Sequence, residues 1–169
     1  MTQRANAADW ADELGLPADV GIVARLVRLD LFVRSVLDDL CGAEGIAVAD
    51  YLVLAVVRRS PAHRAAPSRL CRILDRTSGG MSLALDRLEA AGWLVRSDDP
   101  DDGRRVVVEL TSSGLALATR VNDALHDWEA SLELSDAQQR ETARVVDRLL
   151  ARFSERQSDT GVRAPVATS

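Results

Sequence analysis

The sequence predicts a mainly α fold with a single two-stranded β-hairpin set among its helices. Three observations carry that prediction. Apolar residues recur at spacings of three and four through most of the chain, which is the period of one helix face. One window departs from it: Trp93-Leu94-Val95-Arg96 and the valine-rich run from Arg104 to Leu110 flank Ser97-Asp98-Asp99-Pro100-Asp101-Asp102-Gly103, a dense set of turn formers. Stop and start signals then cut the helical stretches at definite places, among them Pro61, Pro67, Gly92 and the pair Ser135 and Gln138.

Taken in order, residues 1–17 are polar and alanine-rich and end at Pro17, which suits an N-terminal arm. From Asp19 to Leu40, Val20, Val23, Leu26, Val27, Leu31, Val33 and Leu37 spread apolar character over a wide arc. A helix of that kind is buried on several sides, so it is expected at a subunit interface. Gly42 and Gly45 end it. A second helix covers Val48 to Arg59, and Ser60 to Ala66 reads as a loop. Pro67 opens a short helix to Leu74, with Leu70, Ile73 and Leu74 expected inward. After a tight turn, Thr77 or Ser78 is the N-cap of a helix to Ala91 whose core face holds Met81, Leu85 and Leu88. Gly92 suits the position just past a helix end. Beyond the hairpin, Thr111 or Ser112 caps a long helix to Ser131. Ser135 with Gln138 is a capping-box signature for a last helix to Arg152.

Length and composition fit one ordinary globular domain: 169 residues, 47% of them hydrophobic. No window approaches the roughly 18 consecutive apolar residues of a membrane span. The start, MTQRANAADWADEL, is acidic and lacks the apolar core of a secretory signal, so a soluble cytoplasmic protein is expected. Cys41 and Cys71 are too few for a disulfide framework and read as free thiols, at least one of them packed in the core. A redox switch would need an exposed thiol with a lowered pKa. The formal charge is −5, but it is unevenly spread. Arg58 to Arg105 holds ten arginines and seven acids, a balance of +3, and the remainder carries −8. A basic middle between acidic ends is expected where only the middle faces nucleic acid.

No catalytic or metal constellation is found. His63 and His126 stand alone, without an H-E-x-x-H or Cys-x-x-Cys pattern, and there is no G-x-S-x-G elbow. Gly79-Gly80 lacks the spacing and lysine of a Walker loop. An enzyme is not expected, nor a cofactor. The order of elements is more telling. A short helix, a tight turn and a second helix form the helix-turn-helix signature, in which the second helix enters the major groove. The hairpin that follows makes a wing.

The run LCRILDRTSGGMSLALDRLEAAGWLVRSDDPDDGRRVVVELTSSG resembles the core of the MarR family of bacterial regulators. The likeness lies in Asp86-Arg87-Leu88-Glu89, Gly92, Arg96, Pro100, Asp102, Arg104, and Leu110-Thr111 with Gly114, in this order and spacing, and it spans Arg69 to Gly114. It implies a mainly α winged helix-turn-helix with flanking dimerisation helices and a two-stranded β wing. The plan is then an arm at 1–17, dimerisation helices at 18–45 and 112–153, a DNA-binding region at 46–111 and a disordered tail at 154–169. The expected activity is repression of transcription by a homodimer on a pseudo-palindromic stretch of double-stranded DNA.

The resemblance also assigns roles. Arg104 would enter the minor groove from the wing, where a narrow groove concentrates negative potential, and Asp102 would hold it through a charge-assisted pair. Arg105 adds a cation beside it. On the second helix, Thr77, Ser78, Gly79, Ser82 and Arg87 are the candidates, with Ser68 and Arg69 on the helix before it for backbone phosphate. Arg87 reads alternatively as a partner of Glu89. One departure stands out: Leu83 and Ala84 occupy positions where many relatives carry basic residues. Readout there leans on apolar contact with thymine methyls or on indirect readout. The resemblance further implies a small anionic aromatic effector, for which Trp10, Arg34, His126 and Trp128 are the candidate lining. The competing reading is a winged-helix protein-interaction or dimerisation module without DNA binding, motivated by the acidic total and by Leu83 and Ala84.

Overall fold

The structure is a computed structural model, and it describes residues 21–98 and 106–160, the last four of these by backbone alone. Six helices and three strands follow in order: α1 Ile22–Ala43, α2 Val48–Arg58, β1 Arg64–Ala65, α3 Pro67–Ile73, α4 Ser78–Ala90, β2 Leu94–Asp98, β3 Val106–Leu110, α5 Ser112–Ala130 and α6 Asp136–Thr160. The mainly α winged helix-turn-helix expected from the sequence is the fold observed. None of the described helices is by itself long and apolar enough to cross a membrane. The chain divides into two compact units at Ala49 and Asp50, early in α2.

In the first unit, α1 ends in a left-handed turn. Gly45 has a φ of 70°, and the amides of Gly45 and Ile46 donate back to the carbonyls of Gly42 and Cys41. A positive φ there is what glycine adopts without a Cβ clash. Cys41 is the one buried side chain of α1, while Val23, Val27, Leu31 and Phe32 are exposed.

The second unit holds the core. Val53, Leu54 and Val57 from α2, Leu70 from α3, Met81, Leu85 and Leu88 from α4, Leu94 from β2, Val108 and Leu110 from β3, and Leu117 and Val121 from α5 are all buried. Each such side chain taken from water stabilises by about 1.5–3 kcal/mol. The expected core face of α4 is therefore the observed one. Thr77 is its N-cap, accepting from the Gly80 amide at 3.2 Å. At its far end Gly92 has a φ of 72°, and the amides of Gly92 and Trp93 close back onto Glu89 and Leu88.

Three expectations are corrected. The stretch 60–66 is not all loop. Arg64–Ala65 pairs antiparallel with Glu109 and Val108, so the sheet has the order β1-β3-β2 rather than two strands alone. Arg64 reaches across that pairing to Glu109 at 2.7 Å. Ile73 does not point inward but is 47% exposed. Helix α3 stops at Ile73, and the chain then turns through Asp75, whose φ is 48°, so the helix has room for only one inward position, Leu70. Finally, the last helix runs on to Thr160, so the segment from 154 begins as helix and not as a disordered tail. The Ser135 capping box starts it: the Ser135 amide donates to Gln138 Oε1 at 3.0 Å, and the Gln138 amide donates back to Ser135 Oγ at 3.4 Å.

The seam between hairpin and α5 is held by a few polar atoms. Thr111, the N-cap of α5, accepts from the Gly114 amide at 3.0 Å and donates to the Gly92 carbonyl at 2.7 Å. Ser113 Oγ donates to the same carbonyl at 2.9 Å, and the Thr111 amide donates to Trp93 O at 3.1 Å. One hydroxyl thus serves a helix start and the helix end before the wing. Thr111→Val keeps the shape and removes both bonds. It is expected to lower stability by about 1–2 kcal/mol, read as a shifted urea midpoint at unchanged slope.

Candidate nucleic-acid interface

The α3–turn–α4 unit exposes a mostly polar set of side chains. On α4 the buried positions Met81, Ala84, Leu85 and Leu88 leave Gly79, Ser82, Leu83, Asp86 and Arg87 on the opposite face, and all five are exposed. Thr77 and Ser78 stand exposed at the start of α4, and Ser68 and Arg69 stand exposed in the first turn of α3. Asp102, Arg104 and Arg105 lie outside the described residues, in the span between Asp98 and Val106, which are paired across the hairpin.

Two arginine clamps fix α4. Arg87 donates through Nε to Asp50 Oδ2 at 3.1 Å and through Nη2 to Asp50 Oδ1 at 2.7 Å, a bidentate pair that leaves Nη1 out. The hydrogen bonds to Asp50, and then its charge, raise the pKa of Arg87 further above its ordinary value. Asp50 is buried on α2, whereas the Arg87 side chain is 58% exposed. Arg87 is therefore anchored at one edge while more than half of its side chain stays exposed. Arg96 on β2 forms the second clamp. It donates to Asp86 at 2.5 Å and to Glu89, and its amide donates to Glu89 Oε1 at 3.2 Å. Hydrogen bonding to Asp86 is the main cause that raises its pKa further. The alternative pairing of Arg87 with Glu89 does not form, because Arg96 takes Glu89.

Sequence reasoning missed Asp50. It is separated from Arg87 by a whole helix-turn-helix unit, and nothing local marks it except that it is an acid on the core side of α2. Arg96 was visible as a motif position but not as a clamp. Its spacing from Glu89 across Gly92 is the signal that was available.

The candidate effector residues are placed as follows. Trp10 lies outside the described residues. Arg34 is exposed on α1 and pairs with Asp30 at 2.7 Å. On α5, His126 is exposed with Glu129 at 3.2 Å, and Trp128 is half-buried two residues further on. Among the described residues no cluster of His, Cys, Asp or Glu is arranged to hold a metal ion.

Both cysteines are free. Burial, and then the nearby charge of Asp38, push the Cys41 thiol up to about 11. Cys71 is half-exposed. A thiol-selective aromatic disulfide at pH 8 is expected to titrate one thiol per chain in the native protein and two after denaturation, with Cys71→Ser abolishing the native reaction.

A short helix turned onto a second helix, with a β-hairpin beside it and a clamped outward face, defines a winged helix-turn-helix regulator. The chain is similar to the MarR family of transcriptional regulators, whose model matches residues 44–105. The HTH-type transcriptional regulator PecS of Dickeya dadantii is 34% identical over 101 residues, which are 59% of this chain and 61% of PecS, so the match spans less than two thirds of that relative. The HTH-type transcriptional repressor Rv2887 of Mycobacterium tuberculosis is 28% identical over 138 residues, 80% of this chain and 98% of that protein. Among solved structures, a variant of E. coli MarR complexed with operator DNA superposes with a TM-score of 0.61 at 26% identity, covering 76% of this chain and 93% of that one. It is a family of regulators, not of enzymes.

Proposed function

We propose that this protein represses transcription by binding a pseudo-palindromic operator as a homodimer, with α4 in the major groove and the wing in the adjacent minor groove. The observation that carries the reading is the outward face of α4, braced from behind by Asp50 and Arg96 and left open in front. A reading helix held by side chains on α2 and β2 keeps its geometry when it meets DNA. Ser68, Arg69, Thr77, Ser78, Gly79, Ser82, Arg87, Asp102, Arg104 and Arg105 are the contacts this reading assigns. The dimer rests on the exposed apolar residues of α1 already named and on Val145, Val146, Leu150 and Phe153 of α6. Exposed apolar faces of this kind are what a two-fold partner covers.

The test is a gel shift with the DNA flanking its own gene, at graded salt. Binding with a steep negative slope of log K against log salt is expected, since each phosphate neutralised contributes about −0.9. A folded dimer that binds no duplex at low salt, or binds with a slope near zero, would mark a protein-interaction module instead. The same reading puts release from DNA under a small anionic aromatic molecule. By reciprocity such a ligand must bind the free dimer more tightly than the DNA-bound one, which titration calorimetry of both states measures directly.

A further inference from the structure

The outward face of α4 carries an unusual set of side chains for a reading helix. In the major groove guanine is read by arginine or lysine, adenine by asparagine or glutamine, and cytosine by an acid. Of the exposed positions, Asp86 is paired with Arg96, and Arg87, held through two nitrogens by Asp50, keeps only part of its guanidinium for backbone phosphate. The first two turns then offer Ser78, Gly79, Gly80, Ser82 and Leu83, none of which has a charged or amide side chain. Leu83 is 63% exposed, the most exposed large apolar side chain among the described residues. Ala84, the other apolar residue where many relatives carry a basic one, is fully buried and has no access to a ligand. One turn before Leu83, a Cβ on Gly79 would meet no atom of the described residues within 4 Å, and Gly79 has no positive φ to require glycine. Nothing inside the fold explains the bare backbone there, whereas close approach of a partner does.

We propose that Leu83 is the specificity-determining residue of the interface, reading thymine by packing its isobutyl group against the C5 methyl in the major groove. This rests on the DNA-binding reading above and deepens it. Thymine alone among the four bases presents a methyl to the major groove, and an isobutyl group packs on it without leaving any polar edge unpaired. Ser82 beside it accepts and donates, so it tolerates whichever base is its neighbour. The face therefore selects for thymine at the position under Leu83 and discriminates weakly around it.

The test begins with selection of the operator from a random duplex pool by the full-length dimer. Each thymine of the selected half-site is then replaced by uracil, which keeps every hydrogen-bonding group and loses only the methyl. For the wild type, one such replacement per half-site is expected to weaken binding about fourfold, and the matched replacement in both half-sites by roughly the square of that. Leu83→Ala is expected to bind the thymine duplex weakly and to be indifferent to uracil at that position, with an unchanged salt slope. Its surface position leaves the fold intact, checked by circular dichroism. A wild type indifferent to uracil at every position overturns the assignment, and so does a Leu83→Ala variant that keeps the wild-type sensitivity. If no sequence is enriched and no duplex is bound, the DNA-binding reading itself fails and this one falls with it.

Discussion

Gly114→Ala is expected to destabilise the folded protein by about 3 kcal/mol, at the upper end of what overpacking a core position costs. The sign is the informative part. In the first turns of a helix, alanine for glycine normally stabilises, by up to about 1 kcal/mol. Gly114 lies near the start of α5, buried, with no positive φ. A Cβ built on it would fall 1.9 Å from the carbonyl oxygen of Trp93 and 2.8 Å from its carbonyl carbon. Both are backbone atoms, and both are pinned. The Trp93 carbonyl accepts from the Thr111 amide, its amide closes the end of α4 on Leu88, and the next residue, Leu94, pairs with Leu110. Making room for one methyl means opening the seam that joins the end of α4, the hairpin and α5. Gly79→Ala is the control, since its Cβ meets nothing. Urea denaturation of the two variants should move the midpoint in opposite directions, or leave the Gly79 variant unmoved. A Gly114→Ala protein as stable as wild type would show that the seam is soft.

That seam also shows what kind of information a sequence carries. Thr111, Gly114 and Gly92 were legible as a cap, a motif glycine and a helix stop, because each signal is local. Their common purpose, three residues converging on one backbone junction, became visible only in three dimensions. The same holds for the clamps. In the sequence the Asp86-Arg87-Leu88-Glu89 run reads as a family signature, with Arg87 as a DNA contact. The structure divides its labour: Asp86 and Glu89 hold Arg96, Leu88 fills the core, and Arg87 is steered by Asp50. The short strand Arg64–Ala65 was illegible because two residues carry no period and an Arg-Ala pair has little strand preference. It forms because β3 offers an edge and Glu109 a partner. Ile73 was misread because periodicity assumes a helix long enough to complete its face, and α3 ends there.

Arg104→Ala is expected to reduce operator affinity by roughly 30-fold for each subunit engaged, the equivalent of about 2 kcal/mol for a lost charge-assisted contact. Because a two-fold dimer brings two wings to one operator, the loss for the whole complex approaches the square of that. A narrow minor groove concentrates negative potential, and an arginine placed there gains more than one on an open surface. If the proposed pairing with Asp102 positions that guanidinium, Asp102→Ala should lower affinity by a smaller factor, through looser placement and not through loss of the charge. Arg104→Lys should recover only part of the loss, because an ammonium lacks the planar fork. Stability and dimerisation should not change in any of the three, which sedimentation and urea denaturation check. The contrast with Leu83 separates the two parts of the interface. Losing Arg104 should weaken binding to specific and random duplexes alike, and should flatten the salt slope if its charge displaces counterions. Losing Leu83 should weaken the selected operator alone. An Arg104→Ala dimer that binds its operator as tightly as wild type would remove the wing from the mechanism and leave α4 to carry both affinity and sequence.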